Sequence, residues 1–277
     1  MSYSIDGSCV GKPEGSKPDS IEPYTMNTKQ SATLPPEKDT TAAHYNMNHK
    51  RRGLALIFNH ERFIAPPCST RQGTNIDRSN MVVRLSKLGF IVKPFQDLTH
   101  RQILKEVAAA ARKDYFDCDC FVMVVLTHGD AGQILYAQDR SYKFEDLWSP
   151  FCSEKCPSLS GKPKLFFIQA LDGSPMHSHL LFTHPDFLIA YSTIPGYYSW
   201  RRISEGSWFI NSLCWELDQL TDDRDLLTML TFVCQRVAVD FESSCEGDVD
   251  MHLKKQIPCI TSTLTKLLKF TGKNIKF

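Results

Sequence analysis

The sequence predicts an α/β fold in which a mostly parallel sheet carries helices on both faces. Two nearly continuous apolar runs, Phe121 to Thr127 and Lys164 to Ile168, read as strands covered on both sides. Between such runs lie segments whose apolar residues recur three and four apart, the period of a helix buried along one stripe. A chain of 277 residues with 42% hydrophobic content is long enough for one large domain of this kind or two small ones.

The elements follow in order. Residues 1–48 hold Gly, Ser, Pro, Lys, Thr and Asp with almost no apolar period, and Pro13, Pro18, Pro23, Pro35 and Pro36 break any helix. A short disordered leader is expected there, with the globular part starting at about Arg52. Gly53 to Asn59 reads as a buried strand, and Ile76 to Lys87 as a helix with Met81, Leu85 and Leu88 on one face. Gly89 to Val92 is the next strand. Thr99 with Gln102 forms a capping box, after which Ile103, Val107 and Ala111 continue the stripe of a second helix. Phe187 to Ser192 is a further strand. Two helices follow, one turning Ile210, Leu213, Cys214 and Leu217 inward, the other Leu226, Leu230, Val233 and Val237. Pro258 to Phe270, rich in Ile, Thr and Leu, closes the chain as a strand.

Composition removes several function classes. A net charge of +1 argues against a nucleic-acid or acidic-membrane binder. The longest apolar runs are too short to span a bilayer, and the start, Met1 to Asp6, lacks the pattern of a signal peptide. The 10 cysteines therefore read as reduced thiols of a cytoplasmic protein. Cys118, Cys120, Cys152 and Cys156 have spacings unlike a paired zinc knuckle, so buried or incidental thiols are expected and no metal or other cofactor.

Sites in parallel sheets gather at the carboxyl ends of strands. The loops holding Thr127-His128-Gly129 and Gln169-Ala170-Leu171 both follow strands and fall at that edge together. Ser69 to Asp77, Leu126 to Asp130, Leu159 to Ala170, Ala190 to Arg201 and Lys254 to Cys259 match, in order, the motifs of one family. From about Gly53 to Phe270 the chain resembles an effector caspase, a cysteine peptidase that cuts after aspartate. The resemblance implies the caspase-hemoglobinase fold, with a central six-stranded sheet. It also implies a large part at 49–173, a short uncut linker at 174–186 and a small part at 187–277, with 49–173 and 187–277 forming one domain.

By the same resemblance Arg71, Gln169 and Arg201 hold the substrate aspartate through charge-assisted hydrogen bonds. Tyr198, Ser199, Trp200 and Trp208 belong beside that pocket. His128 has the place of the proton-transfer residue, and the backbone amides of Gly129 and residue 171 could stabilise an oxyanion. Taken singly, each of these residues also fits a plain surface, loop or core position; their joint placement is what carries the likeness.

One position departs sharply. The family signature is Gln-Ala-Cys followed by Arg, Gln or Gly and then Gly, whereas this chain has Gln169-Ala170-Leu171-Asp172-Gly173, with His128 43 positions upstream of the leucine. A hydrocarbon has no lone pair to attack a carbonyl. Asp172 adds an acid beside the pocket mouth, and neither Asp172 nor Ser174 sits where His128 would address it. Only 14 residues separate Leu171 from Asp186, with Asp172 the one aspartate among them, and Phe241 to Asp248 is short of the aromatics expected of a peptide-gripping loop.

These departures lead to the expectation of a catalytically inactive caspase homologue that regulates apoptotic caspase activity. It would pair with an active effector caspase, or with itself, through the last strand at about Gln256 to Phe270, activation being favoured over inhibition. The alternative is a non-cleaving decoy for aspartate-containing peptides or caspase inhibitors. The outsider is an active aspartate-specific endopeptidase.

Overall fold

The computed structural model describes residues 3–5, 42–64, 68–130, 132–170, 184–194, 199–219, 224–244 and 252–273. Strand β1 (Tyr3–Ile5) stands ahead of the main body. Then come β2 (Leu54–Asn59), α1 (Thr74–Lys87), β3 (Ile91–Gln96), α2 (His100–Ala111) and β4 (Phe121–Leu126). Three short strands, β5 (Gly129–Asp130), β6 (Ile134–Tyr136) and β7 (Ser141–Lys143), form a separate antiparallel sheet. They lead to a single turn of helix, α3 (Glu145–Trp148), and to β8 (Lys164–Gln169). The remainder is β9 (Phe187–Tyr191), β10 (Trp200–Arg202), β11 (Gly206–Ser207), α4 (Trp208–Asp218), α5 (Leu226–Asp240) and β12 (Cys259–Ser262).

The central sheet has six strands in the order β12-β9-β8-β4-β2-β3, parallel throughout except for the β12–β9 pair. Side chains alternate across it, as the pleat requires. Leu54, Leu56, Phe58, Phe121, Met123 and Val125 pack with Ile103, Val107 and Ala110 of α2. Ala55, Ile57, Val122, Val124 and Leu126 pack with α1, α4 and α5 on the other face. Both faces are covered, which is why β2, β4 and β8 are buried at every residue and read as unbroken apolar runs.

The capping box of α2 forms as expected: the Thr99 amide donates to Gln102 Oε1 at 2.8 Å and the Gln102 amide to Thr99 Oγ1 at 3.4 Å. Other boundaries move. The second expected strand begins later and runs through Pro94, which the sheet tolerates because β3 lies at its edge. The last strand is only four residues long, not the whole of Pro258 to Phe270. Beyond it Leu268 and Phe270 are buried in the core on irregular backbone, tied by the Leu267 amide to Ala43 O at 2.9 Å. Tyr45 and Met47 join the same core, so the folded chain reaches back before the expected start near Arg52, and β1 lies inside the stretch read as a disordered leader. Residues 174–183 of the linker expected at 174–186 lie outside the described residues.

At the amino-terminal end of β4, far from the loops that follow the strands, Asp119 is fully buried. It accepts from Arg52 Nη1 at 3.0 Å, from Lys273 Nζ at 2.8 Å and from the His49 amide at 2.8 Å, joining three distant stretches of chain. Removing the carboxylate strands a fully buried guanidinium, so Asp119→Ala is expected to cost about 3–5 kcal/mol. Urea unfolding measures this, and a loss below about 1 kcal/mol would mean the network contributes little to the fold.

Candidate active site

The parallel register sets the site. Leu126 pairs with Gln169 and Asn59 with Leu126, so the loops after β2, β4 and β8 leave the sheet side by side. Gln169 is the last residue of β8 and is fully buried. His128 stands two residues past β4, and Arg71 lies on the loop between β2 and α1. Arg201 is the middle residue of β10, whose short sheet lies outside the central one.

Arg71 and Arg201 are both fully buried. Arg71 Nη1 donates to His60 O at 3.0 Å and to Thr74 Oγ1 at 2.8 Å, and Thr74 Oγ1 in turn donates to Asn59 Oδ1 at 2.6 Å. Arg201 Nε donates at 2.8 Å to the carbonyl of Gln72, the neighbour of Arg71. Gly73 makes this approach possible. It has φ of 85°, and a Cβ there would lie 2.8 Å from the Ile203 carbonyl. The carboxamide joins from the other side: Gln169 Nε2 donates to Ser199 Oγ at 2.7 Å, two residues before Arg201. A short chain of contacts thus links Gln169, Ser199, Arg201, Gln72 and Arg71. His60 adds no third cation, because burial pushes its imidazole down to about 4.

His128 Nε2 lies 2.8 Å from the Ser69 carbonyl. A carbonyl only accepts, so this nitrogen carries a hydrogen and donates it. Phe63 packs against the imidazole with its ring tilted by 49° and the centroids 4.9 Å apart. Gly129 opens β5, paired with Leu135. Ser199 Oγ continues the polar chain to Ser192 Oγ at 2.9 Å, and Ser192 Oγ donates to Ala170 O at 3.0 Å. The structure therefore brings together Arg71, His128, Gly129, Gln169, Ser199 and Arg201. Trp200 and Trp208 stack at 5.8 Å and, with Val237 and Phe241, form a small buried cluster beneath β10. Tyr198 and Leu171 lie outside the described residues.

Several residues that shape the site were not singled out from sequence. Gln256 bridges two strand ends, accepting from the Trp200 amide at 2.8 Å and donating to Ser192 O at 2.6 Å. Asp77 is fully buried and accepts from the Ser207 amide at 2.9 Å, directly across β10–β11 from Arg201. It feels both Arg71 and Arg201, yet burial dominates and pushes its carboxyl up to about 6. The signal was present: Asp77, Met81 and Leu85 follow one another at four-residue steps, which sets an acid on the apolar stripe of α1.

The thiols considered for zinc sit elsewhere. Burial raises Cys120 far above the ordinary thiol range and Cys152 to about 11. Among the described residues, Cys152, Glu154 and His184 have ligand atoms within 4.8 Å of one another, a loose group away from the site.

Asp77 generates a pH prediction. Its native carboxyl holds a proton that the unfolded chain releases near the ordinary 3.8, so its contribution to stability falls as pH rises toward about 6. Asp77→Asn keeps an acceptor for Ser207 but cannot titrate. Urea unfolding at a series of pH values should show the variant gaining on the wild type between about pH 4 and pH 7. A difference that stays constant across that range would contradict the assignment.

With this geometry in view, the relatives are informative. The family model described as "Caspase domain" matches residues 52–269. Caspase-1 of Spodoptera frugiperda is 49% identical over 251 residues, covering 85% of this chain and 84% of that protein. Caspase drICE of Drosophila melanogaster is 46% identical over 270 residues, covering 91% and 78%. The crystal structure of the Spodoptera caspase-1 matches with a TM-score of 0.81 at 48% identity, over 90% of this chain and all of that one. These findings correct the expected function. Relatives this similar carry the name of a peptidase class and none supports an inactive regulatory role, so they point to an enzyme rather than a pseudoenzyme. Among the described residues no helix is long and apolar enough to cross a membrane. The chain belongs to the caspase family.

Proposed function

We propose that this chain is an aspartate-directed endopeptidase of the effector-caspase type. The observation that carries the reading is the convergence of two fully buried guanidinium groups, Arg71 and Arg201, with the Gln169 carboxamide beside His128. Guanidinium groups with fixed geometry and a neutral amide donor suit one planar carboxylate, and a desolvated pocket strengthens each charge-assisted bond. A peptide aspartate seated there would place its own carbonyl near His128 and the Gly129 amide.

The reaction makes a chemical demand, because the sequence has Leu171 where the family thiol would stand. The attacking atom must come from elsewhere, and a water that loses its proton to His128 Nδ1 requires no further residue. The resulting hydroxide adds to the carbonyl, and the backbone amide of Gly129 holds the oxyanion. Collapse breaks the C–N bond as the imidazolium returns the proton to the leaving amine. Such hydrolysis lacks the covalent step and runs far slower than thiol catalysis, at roughly the residual 10³–10⁴-fold over water that hydrolases keep without a nucleophile. The β12 edge of the sheet, which has β9 as its only neighbour among the described residues, suits self-pairing into a symmetric dimer. A cytoplasmic setting accords with the reduced thiols.

Release of a dye from an aspartyl peptide amide tests this reading. The purified chain should cut measurably, His128→Ala should cut clearly more slowly than the wild type, and Leu171→Cys should exceed the wild type by about 10³-fold or more. A thiol-blocking reagent should abolish only the activity gained in Leu171→Cys. If the wild type matches His128→Ala while Leu171→Cys turns over, the chain seats aspartate without cutting and the proposed activity is wrong.

A further inference from the structure

The end of the sheet opposite the candidate active site holds a second group of chemistry-bearing side chains. Cys152 closes the short turn Ser149–Phe151 that follows α3, and Glu154 stands two residues on, along the path into β8. His184 lies three residues before β9, which pairs in parallel with β8 from Lys164 and Phe187 onward. Both paths therefore enter the sheet at the same end. One ligand atom from each of the three residues falls within 4.8 Å of the other two.

The three positions differ in freedom. The Cys152 carbonyl accepts from the Lys155 amide at 3.0 Å and the Cys156 amide at 2.8 Å, which fixes the turn. Cys152 is 3% exposed, and among the described residues its thiol makes no hydrogen bond. The backbone of His184 is tied by its carbonyl, which accepts from Thr263 Oγ1 at 2.8 Å. Its ring is flanked by those of Trp148 and Phe187, at 5.8 Å and 6.5 Å. His184 Nδ1 is 3.8 Å from Glu154 Oε2, too long for a hydrogen bond, so neither group satisfies the other. The Glu154 side chain is exposed and is the movable member. Tetrahedral zinc sets its ligand atoms about 3.3–3.7 Å apart, so closing this group onto an ion asks for side-chain shifts on the order of 1 Å.

We propose that Cys152, Glu154 and His184 form a binding site for a zinc ion, with a water in the fourth position. Donor chemistry selects the ion: thiolate and imidazole suit zinc, whereas magnesium and calcium take oxygen ligands. Charge balances too, since a thiolate and a carboxylate offset the two positive charges of the ion. On binding, the Cys152 S–H bond breaks, its electron pair forms the S–Zn bond and the proton passes to solvent. Spacing among the cysteines hides such a site, because the histidine that completes it comes from beyond β8. The ion staples the loop entering β8 to the chain entering β9. It acts on stability and is independent of the proposed peptidase chemistry.

The test loads the full chain, stripped of metal by a chelator, with zinc or with cobalt(II), which reports a thiolate ligand through a near-ultraviolet charge-transfer band. The wild type should show that band and should melt about 5 °C higher at a zinc concentration about 100 times the dissociation constant. Cys152→Ser should lose the band, and Cys152→Ser and His184→Asn should each lose about 100-fold or more in zinc affinity together with the thermal shift. Glu154→Gln changes an exposed side chain and leaves the fold intact, so it keeps the site testable if a buried variant unfolds; it should lose about tenfold in affinity. A wild type without the cobalt–thiolate band would overturn the site. So would a band and a zinc affinity left unchanged in both Cys152→Ser and Glu154→Gln. Peptide cleavage forms no part of the readout, so either result leaves the aspartate pocket untouched.

Discussion

Two guanidinium groups held out of water at one edge of the sheet set the terms for the loops around them. An arginine can be buried only if its charge and its fixed fork of donors are met. Around Arg71 this requires the His60 carbonyl, the Thr74 hydroxyl and, behind Thr74, the Asn59 amide at the end of β2. Around Arg201 it requires the Gln72 carbonyl, and hence the left-handed Gly73 that lets the loop lie against β10. Asp77 supplies a buried carboxyl facing both, anchored by the first backbone amide of the turn into α4. Each arginine is thus bound into the loop that the other stabilises, and neither position is separable from the fold.

Much of this was legible in the sequence, and the reasons are specific. Strands covered on both faces leave unbroken apolar runs, so β2, β4 and β8 could be read directly, as could the stripes of α1, α2, α4 and α5. The site residues on strand ends, Gln169 and His128, followed from those strands. What escaped was held by single long-range contacts. The Gln256 bridge between Ser192 and Trp200 has no local signature, and nothing near Leu268 or Phe270 shows that they are buried on irregular chain rather than strand. The pairing of Tyr3–Ile5 with β10 joins residues nearly 200 positions apart in sequence. A polar, proline-rich stretch after it masks such a strand completely.

Position 171 is where composition and kinship meet. Kinship points to a peptidase, while the side chain there offers no electrons to a carbonyl. Recognition and chemistry are separable in a site of this kind. In the proposed function the arginines and Gln169 would bind an acidic side chain whatever attacks the neighbouring bond, and His128 with Gly129 stands on a different loop.

The central claim is that the buried arginines select a carboxylate. The most direct measurement is the affinity of the wild-type chain for Tyr-Ser-Ile-Asp against Tyr-Ser-Ile-Asn, two peptides of nearly the same shape that differ in one charge. Two charge-assisted contacts predict that the aspartate peptide binds at least about 100-fold more tightly. Equal affinity for the two peptides would contradict the account.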